Sequence, residues 1–282
     1  FGIKEIRLAK ISNEAKKRYF DKLKEYKVAI DQIVQREKTL THVLESDENG
    51  VSFKKLLLAD ETLNLVSYYL VMNEMSVSLL GMKNEGFLND ARKGCYKSII
   101  YLEEVVTPYV DVPFSEYEEK LKAIDGFDDE KRYALLCKLG LTIRAVADGF
   151  GDNTKWKWSF VEIEGRFAVV AKNLLNMKTL VAGLDPRVKG YEARFRHLVL
   201  CKKLLQDAAD KYRQKYELST LRIDDFKTAI GYLGALRRIH ILLGEANEAE
   251  ALKKKMEIWK SKMEADQRKA EDEAKSARLQ RP

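Results

Sequence analysis

The sequence predicts an all-α protein, either an elongated antiparallel helix bundle or an irregular helical-hairpin solenoid with long heptad-patterned helices. Three observations lead there. Apolar residues recur at alternating three- and four-residue intervals through most of the 282-residue chain, the spacing that gathers one face of a helix. Only four prolines interrupt it, Pro108, Pro113, Pro186 and Pro282; an interior proline would delete a backbone donor and clash with the preceding turn. Strand-like alternation is nearly absent, and its best stretch, residues 161–170, lies inside a heptad series. Roughly seven to nine helices are expected.

Residues 4–45 carry Tyr19, Leu23, Tyr26, Ile30, Ile33, Leu40 and Leu44, with Glu37 at the position where an apolar residue is missing. This is a heptad seam, which packs one helix lengthwise on another. Asp47-Glu48-Asn49-Gly50 breaks it, and Ser52 is the expected cap of a second helix over residues 53–80. Leu56, Leu57, Leu58, Leu63, Val66, Tyr69 and Leu70 make that helix apolar on several sides, the mark of a central position. After a turn at 81–86, a third helix over 87–107 carries Tyr96, Ile99, Ile100, Leu102, Val105 and Val106. Pro108 and Pro113 bound a rigid connection, Tyr109-Val110-Asp111-Val112. Ser115 and Glu118 have capping-box spacing and open a short helix to Ile124. Asp125-Gly126 ends it, and Asp128 or Asp129 caps a helix through Tyr133, Leu136, Leu139, Ile143 and Val146.

Gly149-Phe150-Gly151-Asp152-Asn153 is the clearest loop. It divides the chain into an N-terminal helical region, residues 1–150, and a C-terminal helical-hairpin region, residues 151–264. A charged tail, residues 265–282, follows. Phe160, Ile163, Phe167, Val170, Leu174, Met177 and Val181 form an unbroken heptad series. Gly183-Leu184-Asp185-Pro186 reverses the chain. Val188, Tyr191, Phe195, Leu198, Leu205, Ala209, Tyr212 and Tyr216 then repeat the spacing. An antiparallel pair of about 25–30 residues per helix is expected, roughly 40 Å long at 1.5 Å per residue. Ala229, Leu233, Leu236, Ile239 and Leu243 line the next helix, which Gly244 ends in the left-handed conformation. Leu252, Met256, Trp259 and Met263 line the return helix. Beyond Ala265 only Ala270, Ala274 and Ala277 keep the pattern, so the tail is expected to be helical or frayed, ordered only against a partner.

Hydrophobic residues make up 45% of the chain and charged residues 34%, with a net charge of +7. A core and a dense ionic surface are both available. The positive balance allows an acidic partner, but Lys and Glu alternate through most helices as solvated faces do. Nucleic acid is therefore the weakest of the partner readings. Cys95, Cys137 and Cys201 are odd in number and lack CxxC spacing, which argues against a disulfide framework. No apolar run is long enough to cross a membrane as a helix. The chain begins at Phe1 without a signal-peptide pattern, which leaves room for a removed leader.

No motif names a reaction. Glu45 to Gly50 has the start of a calcium loop, but Leu56 stands where the bidentate carboxylate is needed. His42, His197 and His240 sit in no metal or triad pattern. Gly231 and Gly234, inside a helical pattern, are read as sites of close helix approach. Lys155-Trp156-Lys157-Trp158 is the most distinctive stretch. It suits a protein contact, where aromatics dominate binding energy, or stacking on bases or sugars. The bland alternative is one Trp stapling the next helix start and the other half-exposed. Trp259 joins these four as a candidate protein contact. No catalytic, cofactor-binding or metal residue is predicted.

Leu236, His240, Gly244 and Ala249 have the offsets of a tetratricopeptide hairpin, which one stretch, residues 229–263, resembles. Arg237 and Lys253 depart from that pattern, and no 34-residue period recurs. The long seams, Phe160 to Val181 and Val188 to Tyr216, and the tail after Trp259 resemble the flagellar coiling proteins that sheathe the periplasmic filament of spirochaetes such as Leptospira. That resemblance implies a non-catalytic structural protein, exported to the periplasm, binding laterally to flagellar filament core and sheath proteins, with self-association a further expectation. The tetratricopeptide resemblance implies instead a cytoplasmic protein-interaction adaptor. A nucleic-acid-binding helical protein is the third reading, and an enzyme is not expected.

Overall fold

The computed structural model describes residues 11–152 and 154–279, with residues 273–279 described by backbone alone. Among these residues it is all-α, with no strand. The α-helices are α1 (Asn13–Ser46), α2 (Val51–Leu80), α3 (Glu85–Val105), α4 (Glu118–Lys122), α5 (Asp129–Phe150), α6 (Lys157–Asn173), α7 (Leu180–Gly183), α8 (Tyr191–Lys215), α9 (Ile223–Leu242) and α10 (Ala246–Leu279). One short element, α7, was not expected as a separate helix and takes the count among the described residues past the number expected. The helices pack as two units. One holds the residues up to 101 together with 141–154, and the other holds 102–140 together with those from 155 on. A single cut at residue 150 is therefore not how the chain divides. Residues 102–140 go with the C-terminal helices because Glu103 and the carbonyls of Thr107, Tyr109 and Val110 are bound by α6 side chains.

In the first unit, α1 buries Tyr19, Leu23, Ile30 and Ile33 along the expected seam. They pack with Leu65 and Met72 of α2. The two helices are antiparallel: Tyr26 meets Tyr68 with centroids 6.0 Å apart, and Arg36 pairs with Glu61 at 2.7 Å. Glu37, the charge inside the seam, accepts a hydrogen bond from the Tyr101 hydroxyl at 2.6 Å and pairs with Lys97, so α3 supplies its partners. Helix α2 is central as expected, burying Leu56, Leu58, Ala59, Leu63, Leu65 and Val66, although Leu57 faces solvent. It starts at Gly50, which is left-handed with φ 63° and has no side-chain cap, so Ser52 lies inside the helix rather than capping it. Asp47 shapes this turn instead, accepting from the Asn49 backbone at 3.0 Å and from Lys54 at 2.5 Å.

The second unit is built around α6, in which every residue from Phe167 to Asn173 is buried. Helix α8 runs antiparallel to it. His197 bonds to the Ala171 carbonyl at 2.7 Å, and Lys211 pairs with Glu164 at 2.5 Å. Helix α8 unwinds through a π turn, Tyr216–Thr220, into Leu221, which has φ 49°. Lys215 reaches across to Asp225 on α9 at 2.8 Å. Helices α9 and α10 form the predicted hairpin. Gly244 has φ 73°, its N–H bonds to the Ile241 carbonyl at 3.1 Å, and that of Glu245 bonds to the His240 carbonyl at 2.9 Å. These two bonds satisfy carbonyls that a helix end otherwise leaves open. The Glu245 carboxylate then accepts from Lys202 at 2.5 Å and His240 at 2.5 Å, joining three helices at one corner. Burial alone would raise its pKa; the hydrogen bonds from Lys202 and His240 outweigh that and lower it. In α10, Leu252 and Trp259 are buried, while every side chain from Gln267 to Asp272 is exposed.

Four expectations change here. The series from Phe160 to Val181 is not one helix: α6 stops at Asn173, and Asn176 turns the chain by accepting from the N–H groups of Lys178 and Thr179. The first halves of the second seam, Val188 and Phe195, are 40% and 46% exposed, as is Val181 at 53%. Ser115 lies in a 3-10 turn, Phe114–Glu116, and Tyr117 takes the N-cap of α4 without a side-chain bond, so no capping box forms. Asp128 is the cap of α5, accepting from the Lys131 N–H at 3.0 Å. Finally, close helix approach occurs at Gly165, where an added Cβ would lie 2.5 Å from the Tyr232 hydroxyl and 2.7 Å from the Tyr212 ring. At Gly231 and Gly234 the nearest atoms would be 3.5 Å away, an ordinary contact.

Gly165→Ala should therefore lower stability by about 1–3 kcal/mol, the range for overpacking a filled core. Gly234→Ala should be neutral or raise stability by up to about 1 kcal/mol through helix propensity. Urea unfolding of both variants measures the contrast.

Candidate functional site

The five residues singled out by sequence do not form one surface. Trp156 is the half-buried N-cap of α6 and carries no capping bond, and the ammonium of Lys155 lies 5.5 Å from the centroid of its ring. Lys157 covers Trp158 in the same way at 5.0 Å. Trp158 turns inward and packs against the core of the second unit. Trp259 is in that core, 3% exposed, with its ring 5.9 Å from Phe226 and the cations of Arg213 and Lys255 over it. Hairpin packing turns its side of α10 onto α9. Cations lying on these rings are attracted by the ring quadrupole.

A different place gathers polar chemistry. The connection after α3 wraps over the C-terminal end of α6. The Asn173 amide donates to the carbonyls of Thr107 at 2.9 Å and Tyr109 at 3.1 Å, and Lys172 donates to the Val110 carbonyl at 3.1 Å. Pro113 and the following 3-10 turn then lay Phe114 and Tyr117 against the same end, with their rings 5.3 Å apart. Ala235, Arg238, Ile239 and Leu242 of α9 face them. Between lies a cleft of about 410 Å³, also lined by Asp111, Val112, Lys172 and Met177. Clefts of this size with apolar walls and a few converging polar groups are the usual form of small-molecule sites.

Two of its groups have unusual electrostatics. Lys172 is 5% exposed, and its ammonium lies 5.4 Å from the Tyr117 ring centroid. Burial, with Arg238 nearby, pulls its pKa down from the ordinary lysine value to about 8. Tyr117 is 2% exposed, its hydroxyl has no hydrogen-bond partner, and burial pushes its pKa up. At the mouth, Arg238 pairs with Asp111 at 2.6 Å. Behind the cleft, burial pushes the Cys201 thiol up to about 12. Sequence reasoning noted the two prolines of this connection but missed the site. The readable signal was Lys172, a lone charge in the apolar run Phe167 to Leu175.

Among the described residues, no group of His, Cys, Asp and Glu is placed to hold a metal ion, and no helix is long and apolar enough to cross a membrane. The chain matches the TP0443 family over residues 15–267 and belongs to it. No curated protein and no solved structure matches it.

Two stability predictions follow from the cleft. Tyr117→Phe removes a buried hydroxyl that bonds to nothing, so the variant should be more stable by about 1 kcal/mol, within the desolvation cost of an unpaired group. Thermal and urea unfolding check it. Lys172 has a lower pKa folded than unfolded, so the unfolded state binds more protons between pH of about 8 and the ordinary lysine value of 10.5. Its penalty is full below pH of about 8 and fades as pH rises towards that upper value. Lys172→Met should therefore differ from the parent by a pH-dependent amount, changing by about 3 kcal/mol across that window. Loss of the Val110 bond adds only a constant offset, so the slope of the difference against pH is the readout.

Proposed function

We propose that the protein is a non-catalytic structural or assembly protein that binds other proteins through the outward face of α8. One observation carries this reading. Tyr191, Phe195 and Val199 recur every fourth residue, and Phe195 and Val199 are 46% and 50% exposed. Tyr191 stacks on Phe195 with centroids 6.0 Å apart, giving a continuous apolar stripe. Residues four apart lie above one another on a helix. Val188 and Val181, also exposed, precede the stripe. Apolar surface of this kind marks interaction sites when it is contiguous, and its helical spacing suits a helix laid alongside.

The resemblance to spirochaete flagellar coiling proteins extends the reading to lateral attachment on a periplasmic filament with its core and sheath proteins. The alternative is a tetratricopeptide-like cytoplasmic adaptor, favoured by the tight turn at Gly244. Against it, α10 spans 34 residues and α9 only 20, unlike the matched helices of such a repeat. A nucleic-acid partner has only the net charge of +7 in its favour.

The test is association measured by size-exclusion chromatography with light scattering, for the protein alone and with filament proteins. Replacing Tyr191, Phe195 and Val199 together by Ser should leave helicity intact and weaken association at least tenfold, about 1.4 kcal/mol. A parent protein that stays monomeric and binds no filament protein would overturn the proposal. So would a triple variant that associates as the parent does.

A further inference from the structure

Helix α1 buries one face against α2 and leaves the opposite face bare. Lys16, Lys27 and Lys38 recur at eleven-residue intervals on that bare face. Eleven residues make three turns of a straight helix, so the three stand in line. Lys17 and Lys24 flank the line, and all five side chains are exposed. Lys24 lies 3.8 Å from Asp21, and Asp31 stands in the row itself. The other four ammonium groups pair with no carboxylate among the described residues. Phe20 and Val28 lie between the lysines, 56% and 58% exposed. The buried Tyr19 meets the Phe20 ring edge-on with centroids 5.4 Å apart.

We propose that this face of α1 lies on an anionic lipid surface, its lysine ammonium groups at the headgroups and Phe20 and Val28 inserted below them.

Charge and exposed apolar surface together select this partner. From Lys16 to Lys38 the row extends over roughly 33 Å at 1.5 Å per residue. Lysines gain from anionic headgroups that lie within about a Debye length. Their long stems keep the charge at the headgroup while the helix sits lower, which lets Phe20 and Val28 leave water. The phosphates of a duplex would take the charges but leave both apolar side chains hydrated. An acidic protein recognised by fixed geometry favours arginine, whose fork takes a carboxylate with two bonds. Here Arg18 is engaged by Glu14 and Arg36 by Glu61, each at 2.7 Å, and the uncommitted cations are all lysine. The α8 stripe is on a different helix and plays no part.

Co-sedimentation of the full chain with vesicles of phosphatidylcholine and phosphatidylglycerol in equal parts, against pure phosphatidylcholine vesicles, tests this. The mixed vesicles should bind it at least about tenfold more strongly, and added salt should release it, because surface charges are screened. Replacing Lys16, Lys17, Lys27 and Lys38 together by Gln should lower binding roughly a hundredfold or more, each lysine near an anionic surface contributing roughly fivefold. The same loss of charge elsewhere, with Lys189, Lys203, Lys254 and Lys260 replaced by Gln, should leave binding within about threefold of the parent, since distant charges are screened. Phe20→Ser keeps the charge and should weaken binding about threefold or more, because interfacial binding scales with buried apolar area. Every substituted side chain is exposed, so the variants keep the fold, which far-UV circular dichroism checks. No preference for the mixed vesicles, an equal loss in the two lysine variants, or parent-like binding by Phe20→Ser would each overturn the proposal. So would tighter binding to duplex DNA than to the mixed vesicles at the same salt.

Discussion

Everything in the second unit depends on how the C-terminal end of α6 is satisfied. A helix leaves its last four carbonyls without partners inside the helix, and in a core there is no water to take them. Here the end lies among fully buried residues, Ala171 to Leu174. His197 from α8 donates to the Ala171 carbonyl, and Arg132 from α5 donates to that of Leu174 at 3.3 Å. Arg132 also takes the carbonyls of Phe127 at 2.6 Å and Ile124 at 3.4 Å, so one guanidinium ties the connection before α5 to one helix end. A cation is favoured there because helix carbonyl dipoles converge on that end. His197 is neutral in this role, since burial holds its pKa down at about 4.

The same end also dictates what wraps over it. Asn173 and Lys172 point away from α6 and bind the chain running from Thr107 to Val110. That chain is pinned by its carbonyls as well as by Val110 packed on the core, and Tyr109 is left 67% exposed. Pro113 and the 3-10 turn follow from this path, and they set Tyr117 with its hydroxyl inward. The cleft is thus a by-product of satisfying backbone groups. On the far side, α8 is buried where His197, Leu198, Cys201 and Leu205 meet the core, and bare where Phe195 and Val199 point. Core and stripe are two faces of one helix.

Much of this was legible where the deciding interactions are local. The α1 seam is read from Tyr19 to Leu44 because three-and-four spacing alone selects its buried side. The α9–α10 hairpin is read from Gly244 because a left-handed turn needs that residue. The end of α6 was not legible. Leu174, Met177 and Val181 continue the apolar spacing of Phe160 and Phe167, so the apolar pattern does not say that the helix stops. It ends where Asn176 accepts from the next two N–H groups and Asn173 turns towards Thr107, an interaction 66 residues away in sequence. The same blindness placed Phe195 in a seam, since periodicity marks an apolar face without saying whether this chain covers it. The tryptophans drew the eye by rarity, yet Trp259 is core and Trp158 half so. The less conspicuous Lys172 and Tyr117 carry the cleft.

Lys172 also connects the cleft to stability. Its methylenes could be replaced by an apolar side chain of similar length, and a neutral residue would avoid the cost of a desolvated ammonium. The charge is tolerated because the Val110 carbonyl and the Tyr117 ring face offset part of that cost.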